Sequence, residues 1–432
     1  MQFKIGVIGA GVAGITAAYI LQRQHNVTLF EKNSYIGGHT RTVVIPDGPD
    51  AGTPIDTGFI VLNDQTYPTL NRLLEQLGIS VRFSDMSFSF QCQRSGLQYA
   101  GTNSMGLSSL NNVFAQRRNL FKPRFWKFVQ EYLRFNSESI VDLEMGQLKQ
   151  HTLGEYIEER NYSSDFVEHY ALPIGAAIWS TPTHKMTHFP AETFVQFFKN
   201  HGLLKTPQPA RWQTVLGGSH QYVKSFLKGF NGQVLLNAKI EAVHRQSDRV
   251  AVKLKNQTEI DFDHLVVATH ADQALALLAD RTEDEKKLLG AWQYEKNLAV
   301  LHTDQSVMPT NRRAWASWNY KRGISTDNSS EPLSVTYDLT RLQGLSTQNR
   351  YFVTLNGQPV ADESIVSTVD FTHPVYDFAA LESQSKLNQL NQNPVSNSAG
   401  GIYFCGSYFG YGFHEDASRS GEDVAKIFGL AL

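Results

Sequence analysis

Cysteine is nearly absent. Cys92 and Cys405 are the only two in 432 residues, and they lie far apart. No disulfide framework and no cysteine-rich metal centre can be built from them. An excess of one charge is missing too: 39 Lys and Arg stand against 41 Asp and Glu, a net of −2. Bulk electrostatics therefore give no case for a nucleic-acid partner. No apolar run reaches the ~18 uninterrupted residues that a membrane-spanning helix needs. Repeats, low-complexity tracts and a GxSxG nucleophile elbow are also absent. What is present is a globular composition, 41% hydrophobic and 19% charged, as folded chains have. The length predicts two or three domains at roughly 100–200 residues each. Aromatic residues, 11% of the chain, point to a large apolar interior or an apolar substrate cavity.

The N-terminus carries the strongest signal. Gln2 to Leu21 is largely apolar with Lys4 near its front, but a secretory signal needs no glycines at fixed spacing. The segment reads as mature structure and the compartment as cytoplasmic. Phe3 to Ile8 reads as a buried parallel strand, followed by Gly9-Ala10-Gly11-Val12-Ala13-Gly14 and by helical spacing from Thr16 to Gln24. GxGxxG alone is weak. Between a strand and a helix it has the context that phosphate binding requires. Gly9 permits the tight turn, Gly11 lets the backbone approach a pyrophosphate, and Gly14 lets helix and strand pack closely. Free N–H groups and the positive helix end then hold phosphates. Val27 to Phe30 is a second strand ending at Glu31, 22 residues after Gly9, where an acid binds the ribose 2′-hydroxyl. Such an acid repels a 2′-phosphate and so favours NAD or FAD over NADP. Lys32 to Thr42 adds a second glycine pair and polar and basic groups. This loop suits the far side of a pyrophosphate leading to a second ring system, where a simple NAD domain would start another βα unit.

The order of GxGxxG, acid, Gly37-Gly38-His39-Thr40-Arg41-Thr42 and the apolar Ile55-Asp56-Thr57-Gly58-Phe59-Ile60 resembles the flavin-dependent amine oxidase superfamily. That group also holds protoporphyrinogen oxidase and the carotenoid desaturases. Thr66-Tyr67-Pro68, Ala177-Ile178-Trp179-Ser180, Leu301-His302-Thr303-Asp304 and Gly410-Tyr411-Gly412-Phe413-His414-Glu415-Asp416 narrow the resemblance. They are similar to a branch of FAD oxidoreductases akin to the flavoprotein portion fused to some plant cyclopropane fatty acid synthases. The resemblance covers nearly the whole chain. It implies an α/β fold in which a Rossmann-like FAD-binding domain (1–84, 212–281 and 372–432) carries an inserted α+β substrate domain (85–211 and 282–371), the two-domain amine oxidase-like architecture. It also implies non-covalent FAD held by Gly9, Gly11, Ala13, Gly14, Glu31, Lys32, Gly38, His39, Thr40, Thr57, Gly58, Phe59, Ile240, Gly406, Ser407, Phe413 and His414. Ile240 would act through its backbone, with plain core packing as the alternative. Ser407 replaces the acid expected beside the ribityl phosphate, which removes one side-chain contact. Phe413 falls where amine oxidases place an aromatic wall beside the flavin. The His414 N–H falls at the pyrimidine edge, where a helix N-terminus stabilises the charge of reduced flavin. Asp416 reads equally as an ordinary N-cap.

On the substrate side, helices are predicted over Pro123 to Ser137, Thr152 to Glu159, Ser164 to Ala171 and Ala191 to Asn200. Strands are predicted over Asn297 to Thr303, Ala314 to Tyr320, Leu333 to Leu339 and Tyr351 to Asn356. An antiparallel meander is predicted over Val234 to Val243, Arg249 to Leu254 and Glu259 to Phe262. His302 and Asp304 alternate at a strand end and are candidates for a catalytic acid–base pair, or for a buried hydrogen-bonded one. Lys296 stands near where amine oxidases carry a water-holding lysine, and reads better as solvated. His184 and His188 lack a third metal ligand, and Pro182 and Pro190 argue against a helix there; no metal is expected. Cys405 is not placed like the covalent flavin cysteine of monoamine oxidases. Arg117 to Phe128 is basic and aromatic, the composition of a membrane-surface helix or of a surface helix packed on its own domain. Two functions stand out: oxidation of a fatty acyl or lipid chain by hydride transfer to flavin, or oxidation of a small amine. A third is a non-redox FAD protein supporting a cyclopropane synthase-like methyltransferase. Expected partners are a small-molecule or lipid substrate, that methyltransferase, and a peripheral membrane contact.

Overall fold

The computed structural model describes residues 1–102, 112–204, 210–323, 334–357, 360–392 and 400–432. Its nucleotide side is a five-stranded parallel sheet. Lys4–Ile8 lies at the centre between Asn26–Phe30 and His264–Val267. Gln233–Leu235 and Gly401–Phe404 form the edges. The central strands are apolar on both faces, as a sheet covered on both sides requires; Ile5, Val7, Leu29 and Val266 are fully buried. Helix Val12–Leu21 is apolar nearly all round and buried at nine of its ten positions. It lies against the C-terminal helix His414–Ile427, to which Thr16 Oγ1 and Ser418 Oγ, 3.1 Å apart, link it.

Strand Gln233–Leu235 corrects one expectation. Val234 to Val243 reads as a single strand, but the chain turns at Asn237, which sits at φ 54°. The first part joins the parallel sheet, and Ile240–Arg245 opens the three-stranded antiparallel meander with Val250–Leu254 and Glu259–Phe262. A local alternation pattern does not say which sheet a strand joins.

The other side is a seven-stranded mixed sheet backed by helices. In spatial order its strands are Ile365–Pro374, Tyr294–His302, Phe352–Leu355, Val335–Asp338, Trp318–Arg322, Ser87–Cys92 and Gln98–Thr102. Strand Ile365–Pro374 stays in this sheet through Pro374, three residues beyond position 371. The helix at Pro123 runs to Glu144, not to Ser137. Ser137 does not stop it: its hydroxyl donates to the Leu133 and Arg134 carbonyls one turn back, at 3.2 and 2.9 Å. Thr152 caps Leu153–Glu159 in a reciprocal box with Glu155. Ser164–Phe166 continues through a π turn, Val167–Ala171, into helix Leu172–Trp179. Pro182 does not prevent a helix but stands at the N-cap of a short one, Thr183–Met186. Leu333 lies outside the described residues, as do positions 393–398 of the segment Gln384 to Ser398, which is polar, Asn/Gln-rich and expected as a surface helix and loop. Among the described residues no helix is long and apolar enough to cross a membrane.

Candidate active site

The turn after Lys4–Ile8 is built by close approach. Gly9 has φ +100°, and a Cβ on Gly14 would sit 1.9 Å from the Gly9 carbonyl oxygen. Gly11 is the opposite case: a Cβ there would meet no protein atom within 4 Å. The Glu31 carboxylate is set by the Ala10 N–H at 3.1 Å, the Asn33 N–H at 2.9 Å and the Asn33 side chain at 2.8 Å. Its orientation is therefore fixed by the turn it faces.

From this turn a cavity of about 1430 Å³ runs into the substrate side. That is larger than the ~300–1,000 Å³ of an ordinary ligand pocket, and fits a dinucleotide together with a substrate. Of the residues expected to hold the cofactor, Gly9, Gly11, Ala13, Glu31, Lys32, Gly38, His39, Thr57, Gly58, Phe59, Ile240, Gly406, Ser407, Phe413 and His414 line it. Gly14 and Thr40 do not. Gly14 packs the helix on the turn. Thr40 is fully buried, with its hydroxyl 2.5 Å from the Tyr222 hydroxyl and 3.1 Å from His414 Nε2. It positions His414 from behind.

The His302–Asp304 pair is a correction. Neither residue reaches the cavity. His302 is fully buried, with Nε2 2.8 Å from Thr354 Oγ1 and Nδ1 accepting the Asp304 N–H at 3.1 Å. The Asp304 side chain accepts from the Ser306 N–H. Both hold a strand end together. Lys296 is exposed and also lies off the cavity.

Asp56 and the acids near Phe413 are structural as well. Asp56 is buried and bonded by Thr42, Ser219 and Gln343; burial raises its carboxyl to about 6. Glu415 accepts from the N–H groups of Thr69 and Leu70, capping helix Pro68–Gln76. Asp416 accepts from the Phe413 N–H at 3.1 Å and caps its own helix. Of the adjacent His414, Glu415 and Asp416, His414 alone lines the cavity, stacked on Phe59 at 3.9 Å.

Two groups were legible in the sequence only in part: His270, His373, Phe197 and His201 were not singled out by it. His270 and His373 stand with His39 on the cavity wall; ring centroids lie 6.2 Å and 5.3 Å from His39. Burial pushes His39 down to about 4 and His270, His373 and His414 to about 3. His39 Nε2 is buried without a hydrogen-bond partner. His270 follows strand His264–Val267, and ligands of α/β sheets bind beyond the carboxyl ends of strands; that was the usable signal. His373 had none, because its neighbours come from elsewhere: the Asn297 amide lies 2.9 Å from its Nδ1. The second group is an aromatic cluster around Phe197. Its ring lies 4.9 Å from Trp179, 3.8 Å from His201, 5.0 Å from Phe413 and 5.9 Å from Tyr411.

The open space over Gly11 and the unpartnered His39 Nε2 both fit a bound dinucleotide. A family model described as "Flavin containing amine oxidoreductase" matches residues 12–331. The chain belongs to that family. The family is flavin-containing, and the cofactor is FAD. No cysteine lines the cavity among the described residues, and Cys405 is fully buried. An L-amino-acid oxidase of Siganus canaliculatus is 23% identical over 333 residues, which are 69% of this chain and 56% of that relative. The match thus spans little more than half of the relative's length. A putrescine oxidase structure is similar with a TM-score of 0.67 at 14% identity, covering 99% of this chain and 98% of that one. Cyclohexylamine oxidase from Brevibacterium oxydans gives 0.66 at 14% identity, covering 99% of this chain and 98% of that one. A fatty acid isomerase from P. acnes gives 0.57 at 14% identity, with 98% of each chain covered. At such identities the likeness is one of fold.

Proposed function

We propose that this protein dehydrogenates an elongated apolar substrate, a fatty acyl or lipid chain. The observation that carries the reading is the lining of the cavity's substrate end. Residues 86–212 contribute Met86, Phe88, Phe128, Tyr132, Ile174, Ile178 and others, and not one Asp, Glu, Lys or Arg among those described. The seven-stranded sheet adds one acid, Asp370, on the exposed face of its strand. An alkyl chain gains roughly 0.8 kcal/mol per buried CH₂ and needs no ionic partner. Bound FAD supplies the hydride acceptor; the walls bind, orient and exclude water.

The aromatic cluster supports a second reading, a small amine. Trp179, Phe197, Tyr411 and Phe413 could hold a cation on their ring faces, and Asp416 and Glu192 lie near enough to Tyr411 to act on it electrostatically. Anaerobic mixing with candidate substrates separates the two. Bleaching of the flavin absorbance by acyl compounds, with apparent affinity rising roughly fourfold per methylene, supports the first. Bleaching by short primary amines with no chain-length dependence sinks it and leaves the second.

A further inference from the structure

We infer that the outer rim of the cavity is a docking surface for an anionic lipid bilayer, so that substrate passes from the bilayer straight into the protein. This rests on the acyl-chain reading above for its purpose, but not for its evidence. The rim is the turn Arg117–Phe121 and the start of helix Pro123–Glu144.

Trp126 and Leu133 line the cavity while 44% and 53% of each remain exposed. They therefore mark where the cavity meets the outside. Beside them Leu120 is 40% exposed and Phe121 86%. Folding alone gives no reason to leave so large a ring in water next to an apolar channel. The Trp126 indole N–H is satisfied by the Leu120 carbonyl at 2.9 Å, so turn and helix present their apolar side chains as one unit.

The same stretch holds exposed Arg117, Arg118, Lys122, Arg124 and Lys127, and no acid between positions 117 and 130. Arg124 is bound by Asp165. Arg118, Lys122 and Lys127 form no salt bridge among the described residues. In a chain of net charge −2 this is a local concentration of positive charge, and it rings exposed Phe, Leu and Trp. Apolar groups that enter the acyl boundary and cations that meet anionic headgroups are the two components of interfacial binding. The charge decides the occupant: a neutral apolar partner would gain nothing from it.

The test uses the flavin-loaded protein and cosedimentation with vesicles of phosphatidylcholine alone or mixed with phosphatidylglycerol. Binding to the mixed vesicles is expected, weakening with salt. The triple variant Arg118→Glu, Lys122→Glu, Lys127→Glu should lose on the order of a hundredfold in partitioning, and Phe121→Ser about tenfold, each with unchanged flavin content. Both variants should also keep the parent rate with a detergent-dispersed acyl substrate. Absence of vesicle binding in the parent, or equal binding by parent and variants, overturns the docking surface. So does retention on duplex DNA with none on vesicles. Vesicle binding without flavin reduction by any acyl compound keeps the surface and removes the substrate reading.

Discussion

Gly11 and Gly14 lie three positions apart in one motif and should fail in opposite ways. At Gly11 the backbone is extended, φ −75° and ψ −178°, which any residue adopts, and a Cβ meets no protein atom within 4 Å. Gly11→Val therefore has nothing in the protein to clash with. Its one cost is an apolar residue at a helix N-cap, up to about 1 kcal/mol. At Gly14 a Cβ would lie 1.9 Å from the Gly9 carbonyl oxygen, where at least 3.0 Å is needed. Helix and turn must separate by about 1 Å, which costs about 3 kcal/mol or more in a packed interior. The comparison belongs on flavin-free protein, because FAD at a thousandfold over its dissociation constant adds about 4 kcal/mol by itself. Thermal melts of the apoproteins and visible absorbance after reconstitution give the two readouts. Gly11→Val should melt within about 2 °C of the parent and bind no flavin. Gly14→Ala should melt at least about 3 °C lower or fail to accumulate. Full flavin content in Gly11→Val would mean that the pyrophosphate does not pass over Gly11. A parent-like melt in Gly14→Ala would mean that the turn is looser than described.

Two further outcomes test the site. His302→Gln should leave the rate of flavin reduction unchanged while lowering stability by about 1–3 kcal/mol through its buried hydrogen bonds; a large loss of rate at parent flavin content would restore His302 to the chemistry. The histidine wall predicts acid sensitivity of the apoprotein. His39, His270, His373 and His414 titrate near 6.5 when unfolded but only at about 3 to 4 when folded. Stability is thus intact above pH 6.5 and falls as pH drops towards 4, because the unfolded chain takes up protons that the folded one refuses. Each such group contributes a slope of up to about 1.4 kcal/mol per pH unit. Urea titrations across that range should show a shallower slope for His39→Leu, and an equal slope would mean that His39 is solvated.

Deep burial of these groups follows from assembly, not from any local pattern. Asp56 illustrates it. In sequence it is the acid of an Asp-x-Gly strand next to a cofactor loop; in the fold its carboxylate locks Thr42, Ser219 and Gln343 together. Glu415 and Asp416 are adjacent in sequence, yet in the fold they cap two different helices, Asp416 in the capping role its position already allowed. His302 and Asp304 share a strand face by alternation, but which way that face points depends on the neighbouring strands Phe352–Leu355 and Ile365–Pro374.

The sequence alone determined the nucleotide end and its cofactor class. Strand, glycine turn, helix and Glu31 act within about thirty consecutive residues, and their requirements are steric and electrostatic conditions that a short segment meets or fails by itself. The length and polar spacing of most elements were local in the same sense. Tertiary structure decided what the cavity is made of. His39, His270 and His373 meet on its wall from three distant segments, and Trp179, Phe197 and Phe413 do the same at its aromatic centre. Whether an apolar residue such as Trp126 belongs to the core, the channel or the surface depends on what packs against it, and no spacing along the chain carries that information.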